Sequence, residues 1–96
     1  MAIVYLLHFS RPYRHARHYL GMTTLALEDR LVRHRRGDGA KLLRAAAQAG
    51  VEFVVARLWT TRTPREARQL EIKLKRRGGG GRHCPICEIA KQINKK

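Results

Sequence analysis

Glu71 is the acidic residue of this chain best placed to do chemistry. It lies beside Leu70 and four residues after Ala67, at the edge of the apolar stripe Ala67, Leu70, Leu74 that a helix would turn inward. Arg68, Lys73, Lys75, Arg76 and Arg77 surround it in sequence. One carboxylate in a cationic field beside a core suits a single hard divalent cation. The plainer alternative is an i,i+4 ion pair with Lys75 on a solvated helix face. The other acids have simpler tasks: Glu28, Asp29 and Glu66 in first turns of helices, Asp38 in a turn, Glu52 on a strand and Glu88 in the tail. Scattered in this way, they do not make the convergent carboxylates of a two-metal site. A second set of reactive residues lies near the C-terminus, where His83, Cys84 and Cys87 form a His-Cys-x-x-Cys group. It supplies three ligands toward a zinc site that wants four, so a histidine of the body or a second chain would have to complete it. The same thiols equally fit a reduced pair or a redox switch.

The surroundings of these residues are basic. The 96 residues carry 21 Lys+Arg against 7 Asp+Glu, a formal charge of +14. The segment 82–96 holds four bases and one acid, which leaves +11 on residues 1–77. An apolar content of 44% is too high for a disordered tail, so the cations decorate a folded body. A chain of this length buries only about 60% of its unfolded surface and builds one core. A compact basic domain of this kind expects a polyanion, and nucleic acid is the commonest. A membrane surface is disfavoured, because the basic segments carry only core-sized Leu and Ile stripes. No apolar run approaches the ~20 residues of a membrane span, and the start reads as neither signal nor transit peptide. A soluble, cytoplasmic protein is expected.

The elements that must position these side chains follow from period and punctuation. Residues 2–9, AIVYLLHF, read as a buried strand, 10–17 as a basic loop around Pro12, and 18–22 as a second strand of an antiparallel pair. From Thr24 the period becomes helical, with Glu28 and Asp29 early, Arg33 to Arg36 late and Gly37 as the stop. A second helix is expected over 40–49 before Gly50, and a third strand over 51–60. Thr63-Pro64-Arg65-Glu66 is a capping box that opens a helix running to the glycines 78–81. Those glycines read as a hinge, and a short helix is expected over 88–93. The fold class is α+β, a small three-stranded antiparallel or mixed sheet flanked by helices, in the order β-β-α-α-β-α plus a tail. The domain plan is a body over 1–77, the hinge at 78–81 and a basic tail over 82–96.

Taken together and in order, Val4-Tyr5-Leu6-Leu7, Tyr19-Leu20-Gly21-Met22-Thr23, Arg30-Leu31-Val32-Arg33-His34, Gly37-Asp38-Gly39-Ala40-Lys41, and Ala67 with Glu71 resemble the GIY-YIG endonuclease superfamily, and most closely its small stand-alone members. The resemblance covers roughly residues 2–77. Ile3-Val4-Tyr5 stands where the family name has Gly-Ile-Tyr, and Tyr19-Leu20-Gly21 where it has Tyr-Ile-Gly.

The resemblance implies metal-dependent hydrolysis of a DNA phosphodiester. Tyr5 and Tyr19 would meet near the scissile phosphate, one of them positioning or deprotonating the attacking water, and Gly21 would let the backbone turn close to the site. A phenol titrates near 10, and the basic field is expected to lower it. Arg30 would stabilise the charged transition state, His34 would assist the base or bind phosphate, and Glu71 would hold one Mg²⁺ or Mn²⁺. Arg33, Arg35, Arg36, Lys41, Arg44, Lys73 and Lys75 would form the rim that grips the phosphate backbone. His8, His15 and His18 read as surface positions, and Trp59 as core. No role is carried over to Asn94. The chain shows no helix-turn-helix, so structure-selective cleavage of duplex or branched DNA, or targeting by a partner protein, fits better than sequence readout. RNA is a lesser candidate. The rival class is a non-catalytic basic DNA- or RNA-binding module on the same scaffold.

Overall fold

The computed structural model describes residues 1–37, 40–77 and 82–94. Its elements are β1 (Ala2–Tyr13), β2 (Ala16–Thr23), α1 (Leu27–Arg36), α2 (Lys41–Gln48), β3 (Phe53–Thr61), α3 (Pro64–Arg76) and α4 (Pro85–Asn94). The sheet is antiparallel throughout, in the order β2-β1-β3. The α+β class and the element order expected from the sequence are those observed.

β1 is the central strand and buries both of its faces, which accounts for its unbroken apolar run. Side chains alternate across a strand. Ala2, Val4 and Leu6 point to one face, where they pack with Leu20, Ala67, Leu74 and Cys84. Tyr5, Leu7 and Phe9 point to the other and pack with Leu31, Leu43, Ala46 and Val51. The molecule therefore has three layers, with α1 and α2 over the Tyr5 face and α3 and the start of α4 over the Val4 face.

The main departure from expectation is in the first hairpin. Residues 10–17 are not a long loop: β1 continues to Tyr13, which pairs with Ala16 across a two-residue turn at Arg14 and His15. Arg14 takes φ 56°, a left-handed conformation uncommon for a residue with a side chain. Pro12 is tolerated because pairing with β3 stops at Phe9↔Phe53, so its missing N–H is not needed on that side. Arg11 reaches from the same stretch to the end of α2, where its guanidinium donates to the Ala49 carbonyl at 2.7 Å.

Most helix signals fall where the sequence puts them. The Thr63 hydroxyl accepts from the Glu66 N–H at 3.2 Å, with Pro64 as the first helical residue. Gly37 closes α1 at φ 82°, taking the left-handed conformation. α1 starts at Leu27 rather than Thr24, because the Thr23 hydroxyl accepts the Leu25 N–H at 3.0 Å and holds 23–26 in a turn. α4 starts at Pro85, three residues earlier than expected, with the Glu88 N–H bonded to the Cys84 carbonyl at 3.1 Å. The glycine hinge 78–81 and Asp38 lie outside the described residues.

Candidate functional site

The β1/β2 register determines where the two tyrosines meet. Tyr5 pairs with Gly21 and Leu7 with Tyr19, so Tyr5 and Tyr19 are diagonal neighbours on one face. Their ring centroids are 6.3 Å apart. Gly21, directly opposite Tyr5, has no side chain to occupy the space between them. A Cβ at Gly21 would stand 2.7 Å from the Tyr5 hydroxyl and 2.7 Å from Cε1 of Tyr19. The glycine is needed for space in an extended strand, and not, as expected from the sequence, for a turn.

α1 closes this face. Leu31 and Leu27 pack inward, and the same helical side brings His34 over the phenols. His34 is fully buried, with ring centroids 5.8 Å from Tyr5 and 5.7 Å from Tyr19. Its Nε2 lies 2.7 Å from the Tyr5 hydroxyl. Arg30, one turn earlier, is half-buried, and its Nε is buried with no hydrogen-bond partner among the described residues. Nδ1 of His34 is likewise without one. This leaves the Arg30 guanidinium with unused donor capacity beside the phenols.

Glu71 comes from α3 on the opposite layer. It is half-buried and accepts from the Lys75 ammonium at 2.8 Å, the i,i+4 pair expected from the plainer reading. The carboxylate is nevertheless close enough to both phenols for its charge to act on them. A carboxylate is the hard oxygen donor that Mg²⁺ or Mn²⁺ selects, and these ions keep several waters and need few protein ligands.

The electrostatics differ from expectation in one respect. Burial dominates at both phenols and raises each above its ordinary value of 10. At Tyr5 the hydrogen bond and charge of Arg30 pull the other way, while Tyr19 and Glu71 push further up. At Tyr19, Arg30 and Lys75 lower and Glu71 raises. The basic field offsets desolvation without overcoming it, and Tyr5 stays neutral near pH 7. His34 is lowered from 6.5, first by burial and then by the Arg30 charge, so it too is neutral there.

The basic rim is outside. Arg33, Arg35 and Arg36 on α1, Lys41 and Arg44 on α2, and Lys73 and Lys75 on α3 are all exposed. Arg35, Arg36, Arg44 and Gln48 line a shallow groove of about 320 Å³. Arg35 also lies over the Phe53 ring at 5.0 Å. Trp59 is half-buried against the Val4 face, with Arg57 over its ring at 4.7 Å, in keeping with a core role.

On the Val4 face is a cluster that the sequence reading did not assemble. His8 and His18 are a cross-strand pair, with His8 Nδ1 and His18 Nε2 3.2 Å apart. The tail places Cys84 Sγ 3.5 Å from His8 Nδ1, and Cys87 Sγ 3.7 Å from the same atom and 3.3 Å from His18 Nε2. All four ligand atoms lie within 4.8 Å of one another. Such a cluster can bind a metal ion. His83, expected to join the cysteines, is not part of it, and its Nε2 is buried without a hydrogen-bond partner among the described residues. His8 and His18 are not the surface residues expected; burial lowers both from 6.5, helped by Arg17 and, at His18, by His8. The signal in the sequence was two histidines at matching strand positions, unreadable until the hairpin register was known.

No described helix is long and apolar enough to cross a membrane. The chain matches none of the family models, curated proteins or solved structures with which it was compared.

Proposed function

We propose that this chain is a divalent-metal-dependent endonuclease of the GIY-YIG type, hydrolysing DNA phosphodiester bonds with one Mg²⁺ or Mn²⁺. The observation that supports this reading most is the 2.7 Å contact between the Tyr5 hydroxyl and His34 Nε2, buried beside an arginine with unused donor capacity. A phenol that stays protonated is a poor base alone, but a neutral imidazole at hydrogen-bond distance can take its proton. In this scheme the attacking water gives a proton to the Tyr5 oxygen as the phenol proton passes to His34 Nε2. The water oxygen bonds to phosphorus as the P–O bond to the leaving oxygen breaks. That oxygen takes a proton from solvent, and the imidazolium returns its proton to solvent, giving a phosphomonoester and an alcohol. Tyr19 orders the water from the neighbouring strand, and Arg30 holds a phosphoryl oxygen with the Nε donor that no described residue takes up. Glu71 would hold the cation, which when bound supplies positive charge for the developing phosphoryl oxyanion.

DNA is the proposed partner. The exposed rim would grip the backbone, and phosphate contacts carry no sequence information, so branched or nicked duplex is the favoured substrate class. The deciding experiment is nicking and cleavage of plasmid, linear, nicked and branched duplexes with Mg²⁺ and Mn²⁺. Cleavage by the wild type and its loss in Glu71→Ala support the nuclease. Equal behaviour of the two on every substrate returns the chain to the rival class, a basic binding module.

A further inference from the structure

We propose that His8, His18, Cys84 and Cys87 form a closed, structural zinc site that clamps the tail to the first hairpin, on the sheet face away from the phenols. His8 Nδ1 is approached by three atoms at once: a nitrogen at 3.2 Å and two sulfurs at 3.5 and 3.7 Å. A ring nitrogen offers one lone pair or one hydrogen, so hydrogen bonding accounts for one of the three. Convergence on a common centre accounts for all of them. With Zn–N near 2.05 Å and Zn–S near 2.3 Å in a tetrahedron, ligand edges come to about 3.3 Å for N···N and about 3.6 Å for N···S. Of the six edges, the nitrogen pair measures 3.2 Å and three of the four mixed pairs 3.3, 3.5 and 3.7 Å, and all six lie within 4.8 Å.

The donor set identifies the ion. Two thiolates and two imidazoles favour a borderline-soft cation and disfavour Mg²⁺ or Mn²⁺, which select oxygen. Four protein ligands fill the tetrahedron and leave no open position for water, so the site is structural and separate from the Glu71 cation. The parts are held in place without the metal: His8 and His18 by strand pairing, Cys84 in the core, and Cys87 packed against it one helical turn along. Binding converts two thiols to thiolates and releases two protons, giving a neutral Zn²⁺(Cys⁻)₂(His)₂ centre. This inference does not depend on the nuclease reading.

Zinc content of the purified full chain, native mass spectrometry and Co²⁺ substitution test it. The expected result is one zinc per chain, at the mass of the chain plus zinc less two protons. Co²⁺ should give thiolate charge-transfer absorption and the intense visible bands of a tetrahedral ion. Cys87→Ser and His18→Gln should each weaken Zn²⁺ binding by at least about a hundredfold, and His83→Gln should leave it unchanged. Circular dichroism of each zinc-free variant confirms that the comparison is between folded chains, and the wild-type mass spectrum is decisive without any variant. A wild-type chain that takes up no stoichiometric zinc overturns the proposal, as does a Cys84–Cys87 disulfide that persists in the presence of Zn²⁺. A His83→Gln loss equal to that of His18→Gln overturns the ligand set.

Discussion

The hydroxyl of Tyr5 and Nε2 of His34, 29 residues apart in sequence, meet at 2.7 Å inside the molecule. One of the two must donate and the other accept. If the phenol donates, the imidazole proton is on Nδ1, an atom with no partner among the described residues. That tautomer leaves Nε2 as the acceptor, the state the proposed proton transfer requires. The contact holds the His34 ring and the Tyr5 hydroxyl against each other, so substitutions at either should disturb both.

Glu71 separates catalysis from stability. Its partner Lys75 is 56% exposed, so their ion pair contributes only about 0.3–0.5 kcal/mol. Glu71→Ala is therefore expected to change thermal stability little, while, if Glu71 holds the divalent cation as proposed, cleavage falls at least about a hundredfold. Thermal melts beside plasmid nicking rates measure the two effects. A large loss of stability with modest loss of rate would count against a metal role.

His34 predicts a pH profile. Its folded pKa lies below the ordinary 6.5, under the burial and Arg30 charge described, with Tyr5 and Tyr19 as its other close polar neighbours. The unfolded chain takes up the proton first as pH falls. The contribution of His34 to stability is therefore complete above about 6.5 and is lost between that pH and its lower folded value. If cleavage proceeds as proposed, with neutral Nε2 taking the phenol proton, the rate should be flat through neutrality and fall only on the acid side of 6.5, where folded His34 takes up its proton. Tyr5, raised above 10, adds no alkaline limb below that value. In His34→Gln the rate should drop roughly 10²–10⁴-fold and the acid limb should vanish. An acid limb that survives this change places the titrating group elsewhere.

Gly21 tests the spacing of the two phenols. An alanine methyl there would press on the Tyr5 hydroxyl and the Tyr19 ring, both part of a packed face. Gly21→Ala should cost about 1–3 kcal/mol by overpacking. In a domain of this size that lowers Tm by roughly 4–8 °C per kcal/mol. Activity should fall further than stability alone explains, because the hydroxyl is pushed away from His34. A variant with wild-type Tm and activity would mean that the face yields freely.

DNA affinity should depend steeply on salt. Six to ten phosphate contacts would weaken binding roughly 10³–10⁵-fold between 50 and 200 mM salt. Replacing Arg36 and Arg44, which line one groove, should lower the salt slope without changing sequence preference. Fluorescence anisotropy titrations at several salt concentrations provide the slope, and a flat response argues against a backbone-tracking rim.

Much of the fold was legible in local signals. Thr63, Pro64 and Glu66 open α3 as their chemistry requires, and Gly37 ends α1. The length of β1 was not, because Pro12 and a run of cations suggest a loop whenever pairing on one side only is invisible. At the phenol site the residue types could be read in the sequence, but their electrostatics could not. Whether desolvation or the arginine field dominates at Tyr5 depends on burial, which no spacing reveals. The His/Cys cluster was half legible: Cys84 and Cys87 announce themselves, whereas His8 and His18 become ligands only when a register sets them side by side.

The alternation of β1 sets a parity rule for the chain. Tyr5 and His8 are an odd number of residues apart on one strand, as are His18 and Tyr19 on the other, and each pair is split between the two sides of the sheet. An extra residue in the Arg14–His15 turn can be absorbed there. An extra residue between Tyr5 and His8, or between His18 and Tyr19, would put ligand and phenol on the same side, so that one of the two groups is lost whichever side faces the core. Unless a bulge absorbs the odd residue, insertions and deletions inside these intervals are compatible with both groups only in multiples of two.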